Sequence, residues 1–412
     1  MHPKTIKHVT FACYSVNMTM ALVSNLSPVL FLTFRSLYGL SYSQLGLLVV
    51  INFATQLIID LIFSFFSHRF NIAKTVKAIP VIAVTGLLLY SFSPNLLPDH
   101  VFLGLSLGTV IFSAAAGLGE VLISPVIAAL PAEDPDREMS KLHSIFAWGT
   151  VVIIILSTLF LHFVGNAHWQ WMALLFTLIP VVSVFLFAGA EIPAMTTPEK
   201  ASGALEMLKN KGIQLMVLAI FLGGAAECTM EQWGSGYLEK ALGIPKVWGD
   251  LLGVALFSVM LGLGRTLYSK IGRNIGKVLT FGALGAVGCY LVAALTDVPA
   301  VGLAACALTG FCTSMLWPGS LVAASDRFPQ GGVFIYAIMA AGGDLGASVA
   351  PQLLGVITDL VIANPEAVVM AQQLALSPEQ LGMKLGMLCG ALFPMAGTFV
   401  FLHIWRTGNK TG

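Results

Sequence analysis

The chain has 412 residues, of which 57% are hydrophobic and only 10% charged, against about 25% charged residues in soluble domains. That deficit excludes a water-facing surface over most of the molecule, and a net charge of +1 excludes bulk attraction to nucleic acid. Cys13, Cys228, Cys289, Cys306, Cys312 and Cys389 all fall in apolar stretches, which predicts small buried side chains rather than a disulfide framework.

A helix needs roughly 20 apolar residues to cross a bilayer. Such stretches recur at 9–34, 43–67, 76–93, 101–130, 141–165, 168–190, 213–239, 247–270, 277–296, 299–325, 332–361 and 380–404. The first is too long for a signal-peptide core and is expected to be a retained span. The pattern predicts an all-α membrane protein with twelve transmembrane helices in two six-helix bundles. Residues 1–190 would form the N-terminal bundle, 191–212 a cytoplasmic linker and 213–412 the C-terminal bundle. Within that linker, 203–212 could form a short surface helix.

Loop charge sets the expected orientation. With the N-terminus inside, 16 of the 21 basic residues lie on inner loops and tails, and Arg35, Lys240, Lys246 and Lys384 lie outside. That bias places both termini in the cytoplasm and the chain in the cytoplasmic membrane.

The halves repeat each other. Asn71-Ile72-Ala73-Lys74 follows span two, and Asn274-Ile275-Gly276-Lys277 follows span eight. Gly117 stands eight residues before Pro125, as Gly310 does before Pro318; Gly149 and Gly342 each lie 24 residues beyond those prolines. Repeats of this kind in transporters place the solute at their interface near the midplane. The same alignment sets Glu120 against Thr313 and His143 against Tyr336, so the halves differ in their chemistry.

Carboxylates inside spans are costly and mark ion, proton or solute paths. Glu120, in Gly117-Leu118-Gly119-Glu120 and ahead of Pro125, is a desolvated carboxyl suited to taking up and releasing a proton. Glu227 and Glu231 lie four apart and share a helix face, so one must be protonated or both must meet a cation. Trp233 and Tyr237 follow one turn apart and offer an apolar surface with polar edges, which suits a sugar ring. Asp344, in Gly342-Gly343-Asp344-Leu345-Gly346, is either a third coupling acid or the ion-pair partner of Arg265. Expected coupling groups are therefore Glu120, Glu227 and Asp344.

Asn52, Gln56, Asp60, Ser64 and His68 recur every four residues along span two and form one polar stripe. Its outer members would line the path. Asp60, with Arg69 and Arg265, would serve a cytoplasmic gate. The expected solute-binding set is Asn25, Gln56, Glu227, Glu231, Trp233, Ser314, Trp317 and Tyr336; Asn17 in span one could add to the lining. His143 could couple protons or merely end a helix. No Walker loop, metal-ligand spacing or paired CxxC motif is present, so no metal, no nucleotide cofactor and no enzymatic activity are expected.

At this point the chain resembles the major facilitator superfamily. That family's signature between spans two and three, Gly-x-x-x-Asp-Arg-x-Gly-Arg-Arg/Lys, is similar to Ser64, His68-Arg69, Asn71 and Lys74, with Arg69 and Lys74 kept and the acid lost. A partial second copy is Ser269-Lys270-Ile271-Gly272-Arg273. Within the superfamily the chain resembles the fucose-permease-like branch of sugar:proton symporters. The resemblance rests on Glu120 with Ser124-Pro125, on Leu142-His143-Ser144 with Gly149, and on Glu227, Trp233 and Tyr237. It extends to Gly342-Gly343 with Pro351, Gly355 and Asp359. The branch's span-one acid has no counterpart in Ser24-Asn25-Leu26-Ser27-Pro28, and Asp344 or Glu227 would have to replace it. The resemblance implies a monomeric secondary transporter of a monosaccharide, driven by a proton or sodium gradient. The other readings are a proton-driven exporter of drug-like or amphiphilic compounds, which would use such acids equally well, and a sensor that binds without flux.

Overall fold

A computed structural model of the chain describes residues 3–66, 69–131, 135–193, 209–271, 274–328 and 332–408. Among the described residues, twelve helices are long and apolar enough to cross a membrane. They are α1 Thr5–Tyr38, α2 Tyr42–Phe63, α3 Ile72–Leu96, α4 Pro98–Ile127, α5 Ser144–Phe163 and α6 Asn166–Ala188. The rest are α7 Lys211–Leu242, α8 Lys246–Tyr268, α9 Ile275–Leu295, α10 Pro299–Ala324, α11 Ile338–Ala363 and α12 Pro378–Thr407. The chain is thus an all-α, multi-pass membrane protein. Most of the linker expected at 191–212, including much of its surface helix, lies outside the described residues.

Two compact units account for the packing. One contains Met1–Leu30 and Ile51–Ser202; the other contains Phe31–Val50 and Gly203–Gly412. The first is organised around buried Val9, Cys13, Phe63, Ala83, Leu118 and Phe187. The second has its core at Met216, Ile220, Leu279, Leu316, Met339 and Phe401.

The repeated sequence features have structural causes. Asn71 caps α3 by accepting from the Lys74 amide at 3.0 Å, and Asn274 caps α9 by accepting from the Lys277 amide at 3.2 Å. Both satisfy a backbone donor that a helix start leaves orphaned. The shared Asn-Ile-x-Lys is therefore a helix-start signal. The paired glycines are contact points. A methyl group on Gly117 would stand 3.0 Å from the Gln56 Cα of α2, and one on Gly310 would overlap the Phe257 carbonyl of α8. Each glycine lets one helix pair of its unit approach to backbone contact.

Prolines break two spans, and a third departs from the α-helix without one. α6 is interrupted at Thr177, three residues before Pro180, whose missing N–H cannot continue the ladder. α10 is likewise divided between Thr313 and Leu316. Pro318 has no amide to bond the Ser314 carbonyl, so that oxygen is free for another donor. α8 opens with a π-helical stretch, Gly249–Ala255, a form that is often found at functional sites. There the buried Asp250 accepts from Lys246 Nζ at 3.1 Å and from the Ser235 hydroxyl.

Candidate functional site

In the second unit, five expected residues converge on α7, α8 and α10. Arg265 Nη2 donates to Glu227 Oε1 at 3.1 Å. Arg265 Nε donates to the Ser314 carbonyl at 3.0 Å, the oxygen that Pro318 leaves without its helical donor. The proline of α10 thus positions the arginine of α8, which neutralises the acid of α7. Glu227 is only 7% exposed, and its Oε2 atom is buried without a hydrogen-bond partner. Cys228 lies within electrostatic reach of Glu227, Glu231, Asp344 and Arg265, so three acids and one base surround a single turn of α7.

The remaining members are placed by close helix packing. The Trp317 indole lies against Gly224 of α7 and Gly343 of α11: methyl groups on these glycines would stand 2.8 and 2.5 Å from its ring atoms. Asp344 follows Gly343 directly and is buried. The glycines around it therefore serve close packing. Glu231 is half-buried. Arg265 makes its salt bridge with Glu227.

Trp233 and Tyr237 stand apart from this cluster. Trp233 is fully buried, its Nε1 donates to the Pro351 carbonyl at 2.8 Å, and its ring packs on Phe31 and Tyr42. Tyr237 is also fully buried and donates to the Ala293 carbonyl. In this conformation neither offers an open ring face. The side chain of Tyr336, like that of His143, lies outside the described residues. A cavity of about 480 Å³ between α8, α9 and α10, with Tyr268, Lys277 and Phe281 in its wall, contains none of the carboxylates.

In the first unit the polar side chains form three groups. Asn25 Nδ2 donates to the Ala21 carbonyl at 2.9 Å and to Thr150 Oγ1 at 3.4 Å, and Asn17 donates to the Leu142 carbonyl. Asn52 Oδ1 accepts from Gln56 Nε2 at 3.2 Å and from Ser113 Oγ at 2.6 Å. Further along α2, Asp60 is buried while Glu120 of α4 is exposed. Arg69 is exposed with its guanidinium 5.4 Å from the Phe66 ring centre. The structure brings Asp60 towards Glu120 and does not join it to Arg69. Ser64 and His68 fall outside the described side chains.

One cluster was not anticipated. Within the second unit, Asp359 of α11 accepts from the Tyr42 and Ser43 amides at 3.1 and 2.6 Å, which caps the start of α2. Glu379 of α12 accepts from the Tyr42 hydroxyl at 2.5 Å and from Arg35 Nε at 3.3 Å. Arg35 lies over the Tyr42 ring, 4.0 Å from its centre. The sequence signal was there: Tyr42-Ser43 begins a helix without an acidic residue in its first turn, so a carboxylate from elsewhere had a role to fill.

The fold and these sites define a multi-pass membrane protein of the transporter type. Residues 11–351 match the Major Facilitator Superfamily, and the chain belongs to that family. Solved structures with the same fold include a bacterial homolog of the human lysosomal transporter Spinster, with a TM-score of 0.69, 13% identity, and coverage of 98% of this chain and 96% of that one. A D-xylose–proton symporter gives a TM-score of 0.69 at 17% identity, covering 94% and 96%. The E. coli fucose:proton symporter gives 0.57 at 14% identity, covering 94% and 98%. At such identities the likeness establishes the fold. No curated protein sequence matches the chain.

Proposed function

We propose that this protein is a secondary active transporter that moves a small polar solute, a monosaccharide, by alternating access and couples it to the proton gradient. The observation that carries the reading is the Glu227–Arg265 pair with Glu231 and Asp344 around one turn of α7. Ionisable groups inside a membrane span are costly and are kept where a polar solute or ion passes. A hydroxyl-rich solute would accept from Arg265 and donate to the free Glu227 oxygen. Ser314, Trp317 and Tyr336 would add polar and apolar contacts in the same unit, and Gln56 and Asn25 are the solute-binding residues expected of the first. Glu120 would carry the coupling proton, and Arg69 would act towards the cytoplasmic face. The loop-charge bias supports cytoplasmic termini and a place in the cytoplasmic (inner) membrane. The short fucose-branch motifs support a sugar, and a single chain suffices for the fold.

The test is counterflow in proteoliposomes. Vesicles preloaded in turn with unlabelled hexoses, pentoses and deoxy sugars are offered the matching labelled sugar. Uptake above that of empty vesicles is expected for at least one sugar, with an inward pH gradient raising accumulation. Silence across the panel, in vesicles holding folded protein, would reject the sugar reading.

A further inference from the structure

Asp60 is a buried acid of the first unit. It is 4% exposed, and neither of its carboxylate oxygens has a hydrogen-bond partner. Its surroundings are apolar: Ile59 and Phe63 pack into the cluster formed by Val9, Cys13, Val16 and Leu118. An ionised carboxylate with no partner in such a place carries a large desolvation cost. The group must be neutral in this conformation or share its charge with something brought to it.

Helix packing identifies the neighbour. α2 and α4 are separated by one intervening span, so they run in the same direction. Gly117 brings them into contact at Gln56 and Ile59: a methyl there would lie 3.0 Å from the Gln56 Cα and 3.1 Å from the Ile59 Cβ. Asp60 lies four residues beyond Gln56, and Glu120 lies three beyond Gly117. One turn past the contact, the two acids stand at the same level of the same helix pair. Glu120 acts electrostatically on Asp60. Gly119 faces Val16 and Met20 of α1, so the Glu120 direction lies between the α1 and α2 contacts of α4. Cys13 and Tyr14 of α1 also pack into this cluster, and their side chains are ordinarily uncharged at neutral pH. Arg69, at the far end, is exposed and stacks on Phe66.

We infer that Asp60 and Glu120 form a two-carboxyl proton site, in which exposed Glu120 receives the proton and buried Asp60 holds it. Two adjacent acids of which only one can ionise titrate as a unit. The site balances simply: one proton enters from water, one carboxyl is neutral, and the same proton leaves when the site opens to the other side. This assigns Asp60 to coupling rather than to a gate, and it rests on the transport reading above for its consequence but not for its existence.

Two measurements separate those levels. In purified wild-type protein without solute, a hydrophobic carbodiimide, which reacts with protonated carboxyls in apolar surroundings, is expected to label Asp60 or Glu120 at neutral pH. Glu120→Gln should change the pH profile of Asp60 labelling. No labelling of either residue, or an Asp60 profile indifferent to Glu120→Gln, would overturn the pair even if transport is confirmed. In proteoliposomes, Asp60→Asn is expected to lower pH-driven accumulation at least tenfold relative to its own counterflow rate. An unaltered ratio, or dependence on sodium in place of protons, would overturn the coupling role. If wild-type protein accumulates nothing under a pH gradient, the transport reading fails while the labelling result still decides the site. Should Asp60→Asn fail to fold, the wild-type labelling decides alone.

Discussion

Arg265 holds Glu227 through one oxygen only, at 3.1 Å, and spends its Nε on the Ser314 carbonyl at 3.0 Å. The second Glu227 oxygen is buried and has no partner. A guanidinium fixed from two sides presents a half-satisfied carboxylate to whatever can donate to it, which is the arrangement a polar solute would complete.

Arg265→Gln should therefore destabilise the protein by leaving a buried acid without its cation. Breaking a fully buried pair costs about 3–5 kcal/mol. Because the Arg265 side chain is 37% exposed, water screening brings the expected loss to about 1–2 kcal/mol. The double variant with Glu227→Gln should recover most of that loss. Thermal melting in detergent measures both, and equal instability of the single and double variants would contradict the pairing.

Glu120→Gln should abolish pH-driven accumulation, a drop of tenfold or more, while solute exchange continues. Parallel uptake and counterflow assays on the same vesicles separate the two. Retained accumulation would remove Glu120 from the coupling path.

Trp233 is expected to behave as a packing residue in this conformation. Trp233→Ala should cost about 3–5 kcal/mol. Trp233→Phe keeps most of the ring contact but loses the bond to the Pro351 carbonyl, an effect of about 1 kcal/mol. Denaturation midpoints rank the two. A Trp233→Phe variant that melts normally but loses solute affinity tenfold would point instead to a ring exposed to solute in another state.

Glycine positions offer a paired control. Gly310→Ala drives a methyl into the Phe257 carbonyl and should cost about 1–3 kcal/mol through forced helix separation. A methyl on Gly262 meets nothing within 4 Å, so Gly262→Ala should stay within about 0.5 kcal/mol. Melting temperatures that fail to separate the two would argue against the α8–α10 contact.

Asp359→Ala removes the carboxylate that receives the Tyr42 and Ser43 amides. Loss of a cap costs about 0.5–2 kcal/mol, and hydrogen exchange at the start of α2 should rise with it. Unchanged protection of those amides would contradict the cap.

Much of this molecule was legible in its residues. Twelve spans follow from apolar length, because a membrane helix satisfies its own backbone and its limits are set by local hydrophobicity. The Asn-Ile-x-Lys repeat and the Gly–Pro spacings were visible as patterns; their physical meaning, caps and backbone contacts, needed neighbours to be seen. The intramembrane acids were equally plain, since their rarity is a matter of composition.

What the sequence by itself determined is thus everything that depends on one helix at a time: the spans, their starts, and which faces carry charge. Which charge meets which was decided by tertiary structure alone. Arg265 could have met Asp344, but helix packing gave it Glu227, 38 positions away, and a carbonyl freed by Pro318. Trp233 follows an acid in sequence, yet its ring lies buried against Phe31, Tyr42 and Pro351. Asp359 and Glu379 found their partners on residues 35–43. The reason is physical: periodicity records the angle of a side chain about its own axis, whereas the distance between two side chains on different helices depends on where glycines and prolines let those axes approach and bend.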